Sequence, residues 1–215
     1  MKPEAIVFDF DGTIADTEWP IYQVALEAFQ AHGLNFELTD WVKGIGLADN
    51  KPLEGLLADA LGEEPDPRIL KAAGERRARW NEEMAVFPGV VEVIAAANHY
   101  EVPLAVASSS PTSWVEPHLD RLGLKHHFVS IRTRDHVDRG KPAPDLFLAA
   151  AAALGIDPAA GLAIEDSRHG CASAKAAGMT CVVVPNRITT LDRPTDADHI
   201  LESLLEFPYS SFGLG

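Results

Sequence analysis

The stretch AIVFDFDGT, residues 5–13, decides the architecture of this chain. Its first four residues are apolar and include β-formers, which is typical of a strand buried in a parallel sheet. Asp9 and Asp11 follow the strand, and Gly12 allows the backbone to turn sharply after them. In an open α/β sheet, reactive groups collect just beyond the carboxyl ends of the strands. Two carboxylates at that position make a poor core and indicate a functional site.

The charge balance of the chain limits its partners. Its 215 residues predict one domain, or one domain that carries an insertion. Acidic residues outnumber basic residues by 32 to 18, so the net charge is −14. A chain this acidic is not expected to bind nucleic acid or an anionic membrane surface. An anionic substrate would therefore need local positive charge from a metal ion or a well-placed lysine.

Cysteine content and hydropathy indicate where the protein works. Cys171 and Cys181 are predicted to be reduced, buried thiols, and the start of the chain shows no charged-then-apolar targeting segment. The longest apolar stretch, residues 146–156, is too short to span a bilayer. We expect a cytoplasmic protein without membrane contact, and a monomer is the default expectation.

Short apolar segments alternate with helical patterns over most of the chain. Further strands are predicted at 102–107, 128–131, 162–164 and 181–184, and helices at 90–98, 113–122, 144–154 and 168–177. This alternation indicates βαβ units, and hence an α/β fold with a Rossmann-like parallel sheet and helices on both faces. The segment around 199–206 is predicted to add a last short strand and a helix.

The segment 17–85 contains no convincing strand. It is predicted to form helices at 20–32, 50–61 and 67–84, and its glycine-rich and proline-rich stretches at 44–46 and 63–67 are typical of loops. We interpret it as an α-helical cap domain inserted after the first strand. The α/β core domain would then consist of residues 1–16 and 86–215.

Four polar clusters follow predicted strands or lie in a loop beyond one. They are Asp9 with Asp11, Ser108, Lys141, and Glu165 with Asp166. Carboxylates gathered at one edge of a sheet repel each other unless a cation lies among them. Oxygen donors without histidine or thiolate select Mg²⁺ rather than zinc. Mg²⁺ and Lys141 would also supply the positive charge that a phosphate needs.

These residue types suit phosphoryl transfer. One aspartate can attack phosphorus and form an aspartyl-phosphate. A second can protonate the leaving alcohol and then activate the water that hydrolyses the intermediate. Ser108 can donate a hydrogen bond to a phosphoryl oxygen, with a supporting contact from Ser109.

The same motifs, in this order, resemble those of the haloacid dehalogenase superfamily. They are DFDGT at 9–13, the strand-end Ser108, GKPAPD at 140–145 and EDS at 165–167. The chain is most similar to the β-phosphoglucomutase-like branch, which has a helical cap between the first and second motifs. The resemblance implies that Asp9 is the nucleophile and Asp11 the general acid–base, and that the cap chooses the substrate.

The resemblance also implies a ligand set for the metal and the phosphate. It implies that Mg²⁺ is bound by the Asp9 side chain, the Asp11 backbone carbonyl, Asp166, and Glu165 as a ligand or close neighbour. Ser108 and Lys141 would contact the phosphate. We therefore predict a Mg²⁺-dependent phosphatase that hydrolyses a small phosphorylated metabolite, for example a sugar phosphate.

Two alternatives stay open at this point. A β-phosphoglucomutase-like isomerase would use the same aspartyl-phosphate, but the mutases carry a histidine shortly after the position of Thr17 and an arginine at the position of Leu47, and this chain has neither. A non-catalytic module that binds a phosphorylated metabolite would not need all of the acidic motifs together.

Two further groups of side chains are predicted to be structural. Trp19, Trp41, Trp80 and Trp114 are interpreted as core or inter-domain packing. Arg76, Arg77 and Arg79 are interpreted as a solvated face of a cap helix, with one of them able to reach a substrate anion.

Overall fold

A six-stranded, fully parallel sheet forms the centre of the molecule in the computed structural model, which describes residues 2–47 and 51–215. The strand order is β3-β2-β1-β4-β5-β6. The strands are β1 Ala5–Phe8, β2 Leu104–Ala107, β3 Ser130–Arg132, β4 Gly161–Glu165, β5 Thr180–Val183 and β6 His199–Ile200. The predicted α/β fold with a Rossmann-like parallel sheet is confirmed.

Eight α-helices accompany the sheet in the described residues. They are α1 Glu18–Ala31, α2 Leu38–Trp41, α3 Leu53–Leu61, α4 Pro67–Glu83, α5 Val90–His99, α6 Thr112–Arg121, α7 Asp145–Leu154 and α8 Arg168–Ala176. The predicted core elements lie within about two residues of these bounds. The helix expected near 199–206 is a single 3₁₀ turn, Leu204–Glu206. No helix of the described residues has both the length and the apolar character needed to cross a membrane.

The two faces of the sheet are covered by different helices. Ile6 and Phe8 of β1 point into one apolar cluster, which includes residues of α5 and α6. Val7 points the opposite way, into a cluster with residues of α7 and α8. This alternation is the two-residue period of a strand that is buried on both faces.

Helices α1 to α4 lie between β1 and β2 in the chain. The chain leaves the core at Ala15 and returns at Val86, and these two residues form an antiparallel bridge. The helices have an apolar cluster of their own, built around Phe29 and Leu57. An inserted helical unit follows from this arrangement, and the domain limits at 17 and 85 stay a prediction.

Three details of the helical segment differ from the sequence predictions. Helix α1 begins at Glu18 rather than at Pro20, because a proline is tolerated in the first turn of a helix. Helix α2 was not predicted, since four residues are too few to show a helical period. The predicted start of the next helix, Asn50, lies outside the described residues, and α3 begins at Leu53.

Candidate active site

The polar strand ends meet beside β1, at the centre of the sheet. β1 pairs with β2 on one side and with β4 on the other, so the strand order reverses there. Such a reversal opens a crevice at the carboxyl ends of the strands, where α/β proteins bind ligands. Asp9 and Asp11 follow β1, Ser108 follows β2, and Glu165 ends β4.

A buried lysine joins two of these strand ends. The Lys141 Nζ donates to Asp9 Oδ1 at 2.5 Å and to Glu165 Oε1 at 2.6 Å. All three side chains are almost completely withdrawn from solvent. One ammonium group thus compensates two buried carboxylates, which would otherwise be strongly destabilising.

The backbone of the β4–α8 turn orients Glu165. Its Oε2 accepts hydrogen bonds from the amides of Asp166 at 3.1 Å and Ser167 at 3.3 Å. Helix α8 comes so close that a Cβ on Gly170 would lie 1.9 Å from Glu165 Oε1. Only glycine fits at this position, because any side chain there would displace the carboxylate.

Asp166 is held by a residue that the sequence analysis missed. The Asn186 Nδ2, in the loop after β5, donates to Asp166 Oδ2 at 2.7 Å and to the Gly12 carbonyl at 3.2 Å. The Asn186 Oδ1 accepts from the amides of Ile188 and Thr189 at 2.8 and 3.1 Å. Its position at the end of another strand was the available signal, since the other polar clusters share it.

Three acidic side chains could hold a metal ion together. Carboxylate oxygens of Asp9, Glu165 and Asp166 all lie within 4.8 Å of one another, and all three residues are buried. The donors are oxygen atoms only, which suits a hard divalent cation. The carbonyl oxygen of Asp11 and the phosphate-facing role of Lys141 stay predictions.

The pKa shifts of the cluster indicate that it favours additional positive charge. Burial raises the pKa of Asp9 to about 8, against the lowering effect of Lys141, and the charges of Glu165 and Asp11 raise it further. Burial also raises the pKa of Asp166 well above its usual value, with Glu165 and Asp9 adding to the shift. Burial lowers the pKa of Lys141, but Asp9 and Glu165 outweigh this and raise it. A bound divalent cation would favour the ionised carboxylates.

Asp11 is fixed by the segment after β2. The Trp114 Nε1 donates to Asp11 Oδ1 at 2.8 Å. The Ser110 Oγ donates to Asp11 Oδ2 at 2.6 Å, and the Ser108 Oγ to the same oxygen at 3.3 Å. The hydroxyl of Ser109 instead donates to the carbonyl of Gly46, between α2 and α3, at 2.9 Å.

These contacts correct the interpretation of one tryptophan. Packing alone does not describe Trp114, because its indole N–H is bonded to a carboxylate of the site. The guanidinium of Arg77 lies 5.0 Å from the centre of the Trp114 ring, so Arg77 is not simply solvated either. Neither contact has a signal in the local sequence, since both join residues that are distant along the chain.

A cavity of about 240 Å³ opens onto these carboxylates. Asp9, Asp11 and Asp166 line it, and the rest of the lining consists of Glu18, Gly46, Leu47, Ser109, Ser110, Pro111 and Arg134. A larger cavity, of about 580 Å³, lies between α1 and α4 and includes none of these site residues. The smaller cavity is therefore the candidate active site.

Glu18 is a titratable group in the lining of this cavity. Burial raises the pKa of its carboxyl to about 8, and the negative charges of Asp11 and Asp9 raise it further. The sequence analysis did not single it out as a site residue. Glu18 begins helix α1, which places it beside the strand end that carries the two aspartates.

The fold and the carboxylates at the strand ends agree with a comparison of the sequence with protein-family models. The model of the haloacid dehalogenase-like hydrolase family matches residues 6–184. The chain belongs to that family, as its resemblance indicated.

Named relatives narrow the class. The chain is 42% identical over 205 residues to the YhcW protein of Bacillus subtilis. This alignment covers 94% of this chain and 93% of the relative. It is 33% identical over 184 residues to the fructose-1-phosphate phosphatase YqaB of Escherichia coli, covering 83% of this chain and 95% of the relative. CbbY from Rhodobacter sphaeroides, solved in complex with phosphate, superposes with a TM-score of 0.76 at 29% identity over 96% of both chains. The predicted enzyme class, a phosphoric monoester hydrolase, is confirmed.

Proposed function

We propose that this protein is a Mg²⁺-dependent phosphatase that hydrolyses a small phosphorylated metabolite through an aspartyl-phosphate on Asp9. The observation that carries this proposal is the buried cluster beside the cavity. In it, Lys141 bonds both Asp9 and Glu165. A carboxylate oxygen of Asp166 lies within 4.8 Å of oxygens of both acids, so one divalent cation could bind all three. A nucleophilic carboxylate, a fixed ammonium group and a set of metal ligands therefore share one site.

The metal and the residues have separate tasks. Asp9, Asp166 and Glu165 would hold Mg²⁺, which supplies positive charge at the phosphoryl oxygens when it is bound. Lys141 fixes the orientation of Asp9 and adds its own charge. Ser108 and Ser109 are the proposed phosphate contacts from the loop after β2, together with backbone N–H groups.

The reaction is a double displacement at phosphorus. A carboxylate oxygen of Asp9 forms a bond to phosphorus while the bond from phosphorus to the ester oxygen breaks, and Asp11 donates a proton to the departing alcohol. Water then attacks the aspartyl-phosphate, Asp11 takes up a proton from that water, and the bond from phosphorus to Asp9 breaks. Phosphate leaves, and both aspartates return to their starting states.

The cavity supports a small, polar substrate. Its volume of about 240 Å³ leaves room for a compact phosphorylated metabolite and not for a large polymer. Glu18 and Arg134 line it with polar groups, which suits the hydroxyl groups of a sugar phosphate. A relative that is named for fructose 1-phosphate supports the same substrate class.

The mutase alternative is weakened by the cavity lining. Leu47 lines the cavity at the position where the mutases carry an arginine. An apolar side chain at this position offers no positive charge to the second phosphate of a sugar bisphosphate, which leaves Arg134 as the cationic side chain of the lining. Conversion of β-glucose 1-phosphate to glucose 6-phosphate without net release of phosphate would favour the mutase over the proposed phosphatase.

The direct test measures phosphate released from a panel of sugar phosphates and from p-nitrophenyl phosphate. With Mg²⁺ we expect turnover of at least one sugar phosphate and of the aryl ester. EDTA should abolish it, and added Mg²⁺ should restore it. Binding of sugar phosphates without release of phosphate from any of them would support a binding module instead.

Asp9→Asn tests the assignment of the nucleophile. We expect it to lower kcat by about a thousandfold or more, because the amide cannot form the aspartyl-phosphate. Asp157→Asn is the matched control, since Asp157 precedes β4 and therefore lies at the amino-terminal end of that strand, away from the site. Circular dichroism should show both variants folded. Activity of Asp9→Asn above a tenth of wild type would refute the assignment.

A further inference from the structure

Trp114 makes a contact that packing does not require. Its Nε1–H is directed at Asp11 Oδ1, at 2.8 Å. We infer that Trp114 is a positioning residue for the general acid–base, because its N–H fixes the orientation of the Asp11 carboxyl group. This inference rests on the proposed function, in which Asp11 gives a proton to the leaving alcohol.

The chemistry of the partners separates the two oxygens of Asp11. An indole N–H is a donor only, so Oδ1, the oxygen that faces it, acts as an acceptor. Oδ2 faces hydroxyl groups, those of Ser110 at 2.6 Å and Ser108 at 3.3 Å. A hydroxyl can rotate and change from donor to acceptor. With partners on both oxygens the carboxyl group cannot rotate freely, and the bond from Trp114 sets which oxygen faces the indole.

Contacts from two helices, α6 and α4, hold the indole ring of Trp114. Within α6, the His118 ring centre lies 4.0 Å from that of Trp114, and His118 Nδ1 donates to the Trp114 carbonyl at 2.6 Å. From α4, the guanidinium carbon of Arg77 lies 5.0 Å from the ring centre, within the range of a cation–π contact. A ring fixed in this way keeps its N–H aimed at one oxygen atom.

The test uses leaving groups that differ in their need for a proton. An alkyl alcohol must be protonated as it departs, whereas p-nitrophenolate leaves readily without an acid. Trp114→Phe removes the N–H and keeps an aromatic ring. We expect single-turnover release of the alcohol from the best sugar phosphate to fall about tenfold, and release of p-nitrophenol to stay within about twofold of wild type.

Trp80→Phe is the matched control. Trp80 lies beside the guanidinium of Arg76, at 5.9 Å, and its buried Nε1 has no hydrogen-bond partner among the described residues. Both rates should stay at the wild-type level in this variant. Equal losses on the two substrates, or no loss, in Trp114→Phe would overturn the inference. If wild type turned over neither substrate, the proposed function would fail instead.

A second measurement does not depend on the folding of Trp114→Phe. In the intact protein, the NMR signal of the Trp114 indole N–H reports its bond to a carboxylate. Asp11→Asn should move that signal upfield, because a neutral amide oxygen is a weaker acceptor, and should leave the Trp80 signal in place. A Trp114 signal that does not respond to Asp11→Asn would overturn the inference.

Discussion

Lys141 illustrates how single side chains set the chemistry of this site. Its ammonium group contacts two buried carboxylates, and Asp166 lies close by without a direct bond from it. The acids outnumber the lysine, so the cluster lacks positive charge as it stands. This deficit, rather than any single motif, is the physical reason to expect a divalent cation.

Glu18 is expected to make the stability of the metal-free protein depend on pH. Its folded pKa is about 8 against an ordinary value of 4.5, so between these values the folded state holds a proton that the unfolded state has lost. The free energy of unfolding therefore falls as the pH rises from about 4.5 to about 8, because the folded state must then hold an ionised Glu18 in a buried position. Glu18→Gln should be more stable than wild type by about 4 kcal/mol at pH 8 and by about 1 kcal/mol or less at pH 5.

Urea unfolding in EDTA at both pH values measures this difference. The exposed Glu63→Gln is the control, and it should follow wild type at each pH. A Glu18→Gln variant whose advantage is equal at pH 5 and pH 8 would show that the carboxyl of Glu18 does not titrate as expected.

At the scale of elements, the strands and helices of the core followed from their local patterns. The four central strands β1, β2, β4 and β5 are short, mainly apolar runs. The helices between strands are amphipathic or rich in alanine, so period and length were sufficient for these elements. β3 was predicted to begin at Phe128, but it begins at Ser130, because Phe128 follows a 3₁₀ turn and packs in the core without pairing. The short helix α2 gave no pattern at all.

Helix α8 is expected to tolerate no side chain at Gly170. Gly170→Ala would place a Cβ 1.9 Å from the Glu165 carboxylate. We expect a loss of about 2–3 kcal/mol in the free energy of unfolding, together with weaker Mg²⁺ binding, because Glu165 must move. Urea unfolding and a calorimetric Mg²⁺ titration measure the two effects.

Gly74→Ala in α4 is the matched control for that substitution. A Cβ at Gly74 meets no atom within 4 Å outside its own helix, so alanine should stabilise the protein by about 0.5–1 kcal/mol. Unchanged Mg²⁺ affinity in Gly170→Ala would contradict the proposed role of α8 in orienting Glu165.

At the scale of the whole molecule, the loop after β5 joins the sheet to the helical segment. Asn186 bonds Asp166, while Ile188 is fully buried in an apolar cluster with Tyr22, Val42 and Ile45. Arg187 pairs with Asp16 and stacks on Trp19, at 4.6 Å from its ring. One short loop therefore contacts both a proposed metal ligand and helix α1.

Ile188→Ala is expected to loosen the helical segment. The cavity that it leaves should cost about 2–4 kcal/mol in the free energy of unfolding, and amide exchange in α1 should accelerate. Ile200→Ala on the edge strand β6 is the control, since that side chain is 43% exposed and should cost about 1 kcal/mol or less. Exchange in α1 that stays at the wild-type rate would argue against a linking role for the loop.

The sequence by itself determined the sheet, the helical insertion and the acidic strand ends, because these depend on local periodicity and on residues that stand directly beside their strands. The family motifs followed from the same short stretches. Only the tertiary structure revealed Asn186, Gly170, Glu18 and Trp114 as parts of the site. Trp114 and Asp11 are 103 residues apart, and no local pattern records which indole a folded chain will place against which carboxylate. Such contacts depend on how α4, α6 and the strand ends pack together, and packing is a property of the whole chain.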